Sequence, residues 1–505
     1  MNILAIDQGT SATKALVTGP GGEVLGRAEV PVHPRGLPGG GVEQDPAELL
    51  DSVLEAGQAA VAAARVPAHA LALANQGETV LAWDRRTGQP LTPAIVWQDR
   101  RSAGICARLA GQAGELTAIT GLPLDPYFAA PKMTWLRENR TGDGVVSTTD
   151  AWLLARLGVG YLTDATTASR TMLLDLDAVG WSPAACSAFG IKEAELPEIT
   201  DCAGVSGETA AFGRSIPVAG LAVDQQAALV AEGCFAPGEA KCTYGTGAFL
   251  LVTTGPAAVR SGHGLSASVA WRLPGATAYC LDGQVYTAGA AVGWLTGLGL
   301  LDGAADLDTA GGSVPDSGGV TFLPALAGLG APHWRPDARG AFLGLGLDTS
   351  RGHLARAVAE GIAASVALLA QAAAADRGAP LQVLRADGGL TRSRLLVQAQ
   401  ADLLQVPVQV CAAADATALG AAALARLGTG AASTLAEAVG QLPVEATIDP
   451  SISRDDAAER LAAFGSALQA AVLARGDDPP EPPRSPPRAE VGSADRAGGV
   501  TGVHA

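Results

Sequence analysis

Runs of apolar residues broken by small polar turns set the rhythm of this chain. Residues 2–6 (NILAI) are mostly apolar, DQGTSAT is a small polar turn, and Lys14–Thr18 is again mostly apolar before a Gly-Pro-Gly-Gly break. Strand, turn and strand in that order predict a β-hairpin. The pattern returns far downstream as Lys241–Thr243, then YGTG, then Ala248–Thr254 with Gly255 and Pro256 behind it. AIDQGTSATKALVTGP and KCTYGTGAFLLVTTGP share a Gly-Thr turn and a Thr-Gly-Pro exit, so one hairpin in each half predicts a duplicated domain. Coincidence between two Gly-rich turns is the competing explanation.

Between the hairpins the pattern alternates. Leu71–Ala74 and Ile95–Trp97 read as short buried strands, and Pro46–Ala64 has helical spacing. Gln382–Arg385 reads as a strand running into Asp387-Gly388-Gly389, with a helix from about Ser393 to Leu404. His353–Ala375 is a long Ala-rich helix that Thr349 and Ser350 can cap. Strands alternating with helices predict an α/β architecture with helices on the sheet faces. The last stretch differs, with six Pro between 479 and 487 and almost no large apolar residue, and predicts a disordered tail over 476–505.

A length of 505 residues exceeds one compact core, which gives two expected units, 1–230 and 231–475, before that tail. The 48% hydrophobic content excludes wholesale disorder. A net charge of −16 with four Lys excludes a general nucleic-acid or anionic-membrane binder. It leaves room for a phosphate site built from a metal ion and backbone N–H groups. Seven cysteines stand apart with no CxxC or CxxH pair, which predicts free thiols in a reducing cytoplasm and no disulfide frame or zinc site. MNILAIDQGT lacks a basic leader, and no window of about 18 unbroken apolar residues occurs, so a cytoplasmic protein with no membrane span is expected.

The candidate chemistry is narrow. None of the four Lys follows a Gly, which excludes a P-loop, and AGAAVG and LGLGLD are not dinucleotide fingerprints in a strand–helix context. The two Gly-Thr turns remain, where backbone can approach phosphate closely and hydroxyls donate further bonds. Each alone reads as a plain hairpin, but a facing pair would clamp a polyphosphate. Asp7 and Asp224 close the apolar strands ILAID and VAGLAVD, at the strand ends where ligands of open α/β sheets bind. One could hold Mg²⁺ and the other take a proton from a hydroxyl. A helix cap at Asp224 and an Asx turn at Asp7 stay open as simpler explanations.

Longer strings then become recognisable. AIDQGTSATK, GVEQDP, NQGETVLAWD, AIVWQDRR, PYFAAPKMTWL, TDATTASRTMLLDL, GLAVDQQAAL, KCTYGTGAFLLVTTG, FLPALAGLGAPHWRPDARGAFLGL, RADGGLTRSRLLVQAQADLL and DATALGAA occur in that order. From residue 2 to about 425 the chain resembles the FGGY carbohydrate kinases, and matches best the members that phosphorylate glycerol. The resemblance implies two duplicated domains of the actin-like, ribonuclease-H-like type around an ATP cleft. It implies Asp224 as general base, Asp7 as a carboxylate near Mg²⁺, and Thr10, Ser11, Lys14, Thr246, Gly247, Gly289, Gly389 and Ser393 on the nucleotide. Glu78, Tyr127, Asp224 and Gln225 match hydroxyl-binding positions, and Trp97 and Phe249 the apolar walls. A small polyol or sugar is the implied partner, and members often form dimers or tetramers.

Departures bear on the acceptor. Gly77 stands where glycerol-phosphorylating members carry Arg in NQRET, which removes a guanidinium fork and opens volume. Lys14 replaces an Arg, Ser393 an Asn and Gly293 a Gln, and Ala129 interrupts PYFAAPK. Ser215, with Arg214 before it, stands where bacterial members use Arg for control by fructose bisphosphate, so that control is not expected here. Glycerol, giving glycerol 3-phosphate, is the best single match. Erythritol, erythrulose and xylulose are alternatives, xylulose the weaker because GQMHG is missing. A nonenzymatic sugar sensor and a chaperone-like or filament-forming ATPase on the same fold are the rival classes. Fold alone does not separate them, but the polyol-facing set has a purpose only in the first.

Overall fold

The computed structural model describes residues 1–412, 415–441 and 444–473, and the expected tail at 476–505 lies outside them. Six sheets form among these residues, and the two largest, both mixed, carry the two Gly-Thr turns. The first contains β1 (Ile3–Gln8), β2 (Ala12–Thr18), β3 (Val24–Pro31), β4 (Ala70–Asn75), β5 (Ala203–Thr209) and β6 (Ile216–Val223), in the order β5-β6-β4-β1-β2-β3. The second contains β7 (Glu239–Tyr244), β8 (Ala248–Gly255), β9 (Ser266–Leu273), β10 (Ala276–Val285), β11 (Val383–Asp387), β12 (Val408–Cys411) and β13 (Val444–Ile448). Its order is β9-β10-β8-β7-β11-β12-β13.

Each sheet is built around one antiparallel hairpin, β1–β2 or β7–β8. The first strand of each hairpin also pairs in parallel with a later strand, β4 or β11, and that strand with a further one, β6 or β12. The repeated topology bears out the duplication expected from the two Gly-Thr turns. Ile3, Leu4, Ala5 and Ile6 are all buried, as a strand covered on both faces requires, and this is why the strand reads as a continuous apolar run.

The helices used below are α1 (Pro46–Ala64), α2 (Ala129–Asn139), α3 (Ala165–Ser169), α4 (Asp224–Ala231), α5 (Gly289–Gly297), α6 (Arg351–Arg377), α7 (Arg394–Leu404) and α8 (Ala416–Gly428). Asp45 caps α1 by accepting from Ala47 N at 2.9 Å, and Pro46 occupies its first turn, where no N–H is needed. The long α6 is apolar enough by length and composition to cross a membrane, but 72% of its apolar window is buried inside the protein, so it is a core helix. The short strand expected at Ile95–Trp97 covers only Ala94–Ile95, which leaves Trp97 in the following loop.

Helix α8 follows the second sheet's β12 in the chain, yet it packs on β1, β4 and β6 of the first sheet and against α4. Small residues make the contact close. A Cβ at Gly420 would lie 1.8 Å from the Ala227 carbonyl oxygen, and one at Gly220 would lie 2.6 Å from that of Ala421. Ala normally stabilises a helix interior over Gly by roughly 0.5–1 kcal/mol. Here overpacking costs about 1–3 kcal/mol and reverses the sign. Gly420→Ala is therefore expected to lower the melting temperature, and an unchanged or raised value in a thermal melt would remove the close-packing account.

Candidate active site

The two Gly-Thr turns face each other across a cavity of about 360 Å³. Thr10 and Ser11 line it from the β1–β2 turn, and Thr246 and Gly247 from the β7–β8 turn. Both turns are tightened by backbone hydrogen bonds, Gly9 N to Ala12 O at 3.0 Å and Gly245 N to Gly247 O at 2.9 Å. Glu78, Trp97, Tyr127, Asp224, Gln225 and Phe249 share the same lining, so ten of the residues singled out from the sequence converge there.

The other five, Asp7, Lys14, Gly289, Gly389 and Ser393, lie outside its lining. Asp7 is on β1 directly across from Lys14 on β2. Gly289 starts α5 and donates its N–H to the Gly245 carbonyl at 3.0 Å; a Cβ there would sit 2.6 Å from that oxygen. Gly389 follows Gly388, whose φ of +94° and 2.5 Å approach to the Tyr244 carbonyl leave no place for a side chain. Ser393 caps α7, accepting from Leu396 N at 3.2 Å and donating to the Asp308 carboxylate, so its hydroxyl is engaged locally.

Apolar and polar walls are separately braced. Trp97 stands edge-on to Tyr127 at 5.7 Å and to Phe249 at 6.2 Å between ring centroids, and its indole N–H donates to Thr10 Oγ1 at 2.9 Å. That bond ties the aromatic wall to the first turn. Lys132 is buried under the Tyr127 loop, donating to the carbonyls of Pro126, Tyr127 and Phe128. Burial pulls its ammonium down to about 7. Gln225 Oε1 accepts from the Lys241 ammonium at 2.5 Å, which orients the amide, and its side chain also hydrogen-bonds the Asp224 carboxylate.

The carboxylates sit in unfavourable surroundings. Burial, then the nearby charge of Asp224, pushes Asp7 up to about 7, with Lys14 opposing. Asp224 is the first residue of α4, its Oδ1 accepting from Gln225 N at 2.7 Å, while Val223 holds the cap position. Burial raises its carboxyl above the usual range, and Lys241 counters part of this. A carboxylate poised in this way can accept a proton from a hydroxyl held beside it.

Several lining residues were not singled out from the sequence, chiefly Arg170 and Asp282. Arg170 donates from Nε to Glu78 Oε1 at 2.6 Å and from Nη1 to Asp282. Burial works against the guanidinium charge, and Asp282 and Glu78 more than offset it, so its pKa is pushed up. The only available signal was a lone charge in an otherwise uncharged run, Arg170 in TTASRTM and Asp282 in YCLDGQV. Gly77 lines the cavity, and a Cβ there would meet Val223 Cγ2 at 2.9 Å. Arg101 is held elsewhere by Asp99 and Glu43 and lies over Trp135, so it does not replace the side chain missing at 77.

Known proteins resemble the chain over most of its length. The chain is 45% identical over 498 residues to a glycerol kinase of Alkalilimnicola ehrlichii, covering 94% of this chain and 99% of the relative. It is 45% identical over 458 residues to a glycerol kinase of Thermus brockianus, covering 87% and 92%. The crystal structure of Plasmodium falciparum glycerol kinase with ADP superposes with a TM-score of 0.88 at 31% identity, covering 94% of this chain and 98% of that one. A xylulose kinase from Rhodospirillum rubrum gives 0.83 at 25% identity, covering 94% and 99%. The family model for the N-terminal domain of the FGGY carbohydrate kinases matches residues 2–231 and that for the C-terminal domain residues 240–428, and the chain belongs to this family.

Proposed function

We propose that this kinase transfers the γ-phosphoryl group of ATP to a hydroxyl of glycerol, giving glycerol 3-phosphate. The observation that carries the reading is the meeting of both Gly-Thr turns with Asp224, Gln225, Glu78 and the aromatic wall in one cavity. Supporting it, the glycerol kinases named above match almost the whole chain. In this reading residues 1–230 carry the acceptor side and the first phosphate turn, and 231–475 the nucleotide side. Seven free and buried cysteines fit a reducing cytoplasm.

Phosphoryl transfer asks for in-line positioning and charge neutralisation more than covalent chemistry. Glycerol offers only hydroxyls, which suit the acceptors Glu78 and Asp224 and the Gln225 amide. Asp224 takes the proton of the attacking hydroxyl. Trp97, Tyr127 and Phe249 cover the carbon chain and keep out water, the competing phosphoryl acceptor. Thr10, Ser11, Thr246 and Gly247 hold the phosphates through hydroxyls and backbone N–H groups, with Lys14, Gly289, Gly389 and Ser393 further along the nucleotide. An arginine-free position 77 widens the space beside Glu78, the feature that favours a longer polyol or ketose as a second reading.

The carboxylates fit Mg²⁺. Asp7 and Asp224 are close enough to raise one carboxyl by mutual repulsion, and among the described residues neither forms an ion pair. No cluster of three or more metal-ligating side chains exists among the described residues. That agrees with an ion held by one or two carboxylates together with water and phosphate oxygens. Asp7 would hold such an ion, which would supply neutralisation of phosphate charge.

Asp224→Asn is expected to keep the fold and ATP binding while kcat on glycerol falls by about 10²-fold or more. A coupled ADP assay checks this, and near wild-type turnover would exclude Asp224 as the base. A second test concerns stability. Asp7 is raised from 3.8 to about 7, so between those values the folded state holds more protons than the unfolded state. Its contribution to stability therefore falls as pH rises through that window. Asp7→Asn is expected to abolish activity yet raise the melting temperature without nucleotide, more at pH 8 than at pH 5. A lower melting temperature at pH 8 would contradict the buried-charge account.

A further inference from the structure

Glu78, Arg170 and Asp282 form a chain of charges across the cavity wall. Arg170 follows α3 in the first half, Glu78 lies beyond β4 of the same half, and Asp282 is on β10 of the second half. Their side chains are 6%, 5% and 9% exposed, yet all three line the cavity. Arg170 is the one cationic side chain in that lining among the described residues. Its guanidinium also lies over the rings of Phe128, at 5.2 Å, and Tyr127, at 5.9 Å.

A purely structural ion pair would need one carboxylate per cation, and a buried pair is in any case weak as a source of stability. Here one guanidinium serves two carboxylates, which leaves excess negative charge and free lone pairs at a cavity surface. Such an arrangement suits a ligand that brings hydrogen-bond donors and no charge. The segment bearing Arg170 is fixed to both halves, because Ser169 Oγ accepts from Val269 N at 3.1 Å on β9. The chain of charges is thus anchored on both sides of the cleft.

We propose that Arg170 is a positioning residue for the acceptor and that Asp282 is a further acceptor-binding residue. Arg170 pairs with Glu78 and fixes it, and holds Asp282 at the wall. An uncharged polyol then donates hydroxyl hydrogens to carboxylates of both halves. With no side chain at Gly77, the task of orienting Glu78 falls to Arg170 alone.

The inference rests on the kinase reading and is tested on the full chain, with glycerol and ATP varied separately. Asp282→Asn and Arg170→Gln are expected to raise KM for glycerol roughly 10- to 100-fold, the loss of a charged hydrogen bond. KM for ATP should stay within about twofold, since uniform loss of fold or activity would not separate the two substrates. Arg170→Lys keeps the charge without the fork, and is expected to recover part of the loss. If Arg170→Gln fails to fold, Asp282→Asn and Arg170→Lys decide the matter. An unchanged KM for glycerol in folded Asp282→Asn, or an equal rise for both substrates, overturns the inference and leaves the kinase reading standing. A wild-type protein that forms no ADP with glycerol or any longer polyol overturns both.

Discussion

Register between parallel strands is the constraint on which the site depends. β1, β4 and β6 pair so that Gln8, Asn75 and Val223 stand side by side. The three strands therefore stop at one level. Asp7, Glu78 and Asp224 lie within three residues of that level, at the same edge of the first sheet. A slip of one residue in any strand would exchange the side chains fitted to its two packed faces and carry its carboxylate away from the others. Packing on both faces prevents the slip, since almost every side chain of these strands is buried. Hydrophobic burial thus sets the spacing of charged groups that it would otherwise disfavour.

The same economy operates across the cleft. Duplication gives the second sheet the same hairpin in the same place, so a second turn arrives opposite the first without new architecture. What differs is chemistry. The first half brings Glu78, Asp224, Trp97 and Tyr127, whereas the second adds Phe249 and Asp282 together with Gly289 and Gly388, whose missing side chains let backbone segments close in around the turn. Lys241 joins the two, reaching from β7 to the Gln225 amide of α4.

Local order was legible in the sequence wherever one segment specifies itself. Both hairpins were, because a Gly-Thr turn between apolar runs needs no distant information, and so was α1, whose helical spacing runs from Pro46 to Ala64. Strand β11 runs to Asp387, two residues beyond the expected Arg385, because pairing with Thr243 of β7 extends it. Partnerships over long separations were not legible. Arg170 and Asp282 are 112 residues apart, and nothing in either segment names the other. Likewise nothing within residues 416–428 says that α8 covers the first sheet. Asp7, Asp224 and the Gly-Thr turn of Thr10 stood out by pattern, Glu78 and Tyr127 only through resemblance, and all but Asp7 line one cavity whose geometry does not itself assign their tasks.

The return of α8 to the first sheet has a consequence for how the chain is made. A ribosome releases β1, β4 and β6 long before it reaches residues 416–428, so during synthesis the Ala- and Gly-rich surface of that sheet waits without its cover. Contacts of such long range are slow to form, because the intervening loop must close first. The first half cannot be finished as an independent unit while the second is still emerging. Its last layer is supplied by a segment that follows β12, so the packing of the first half is completed only once that segment has been made.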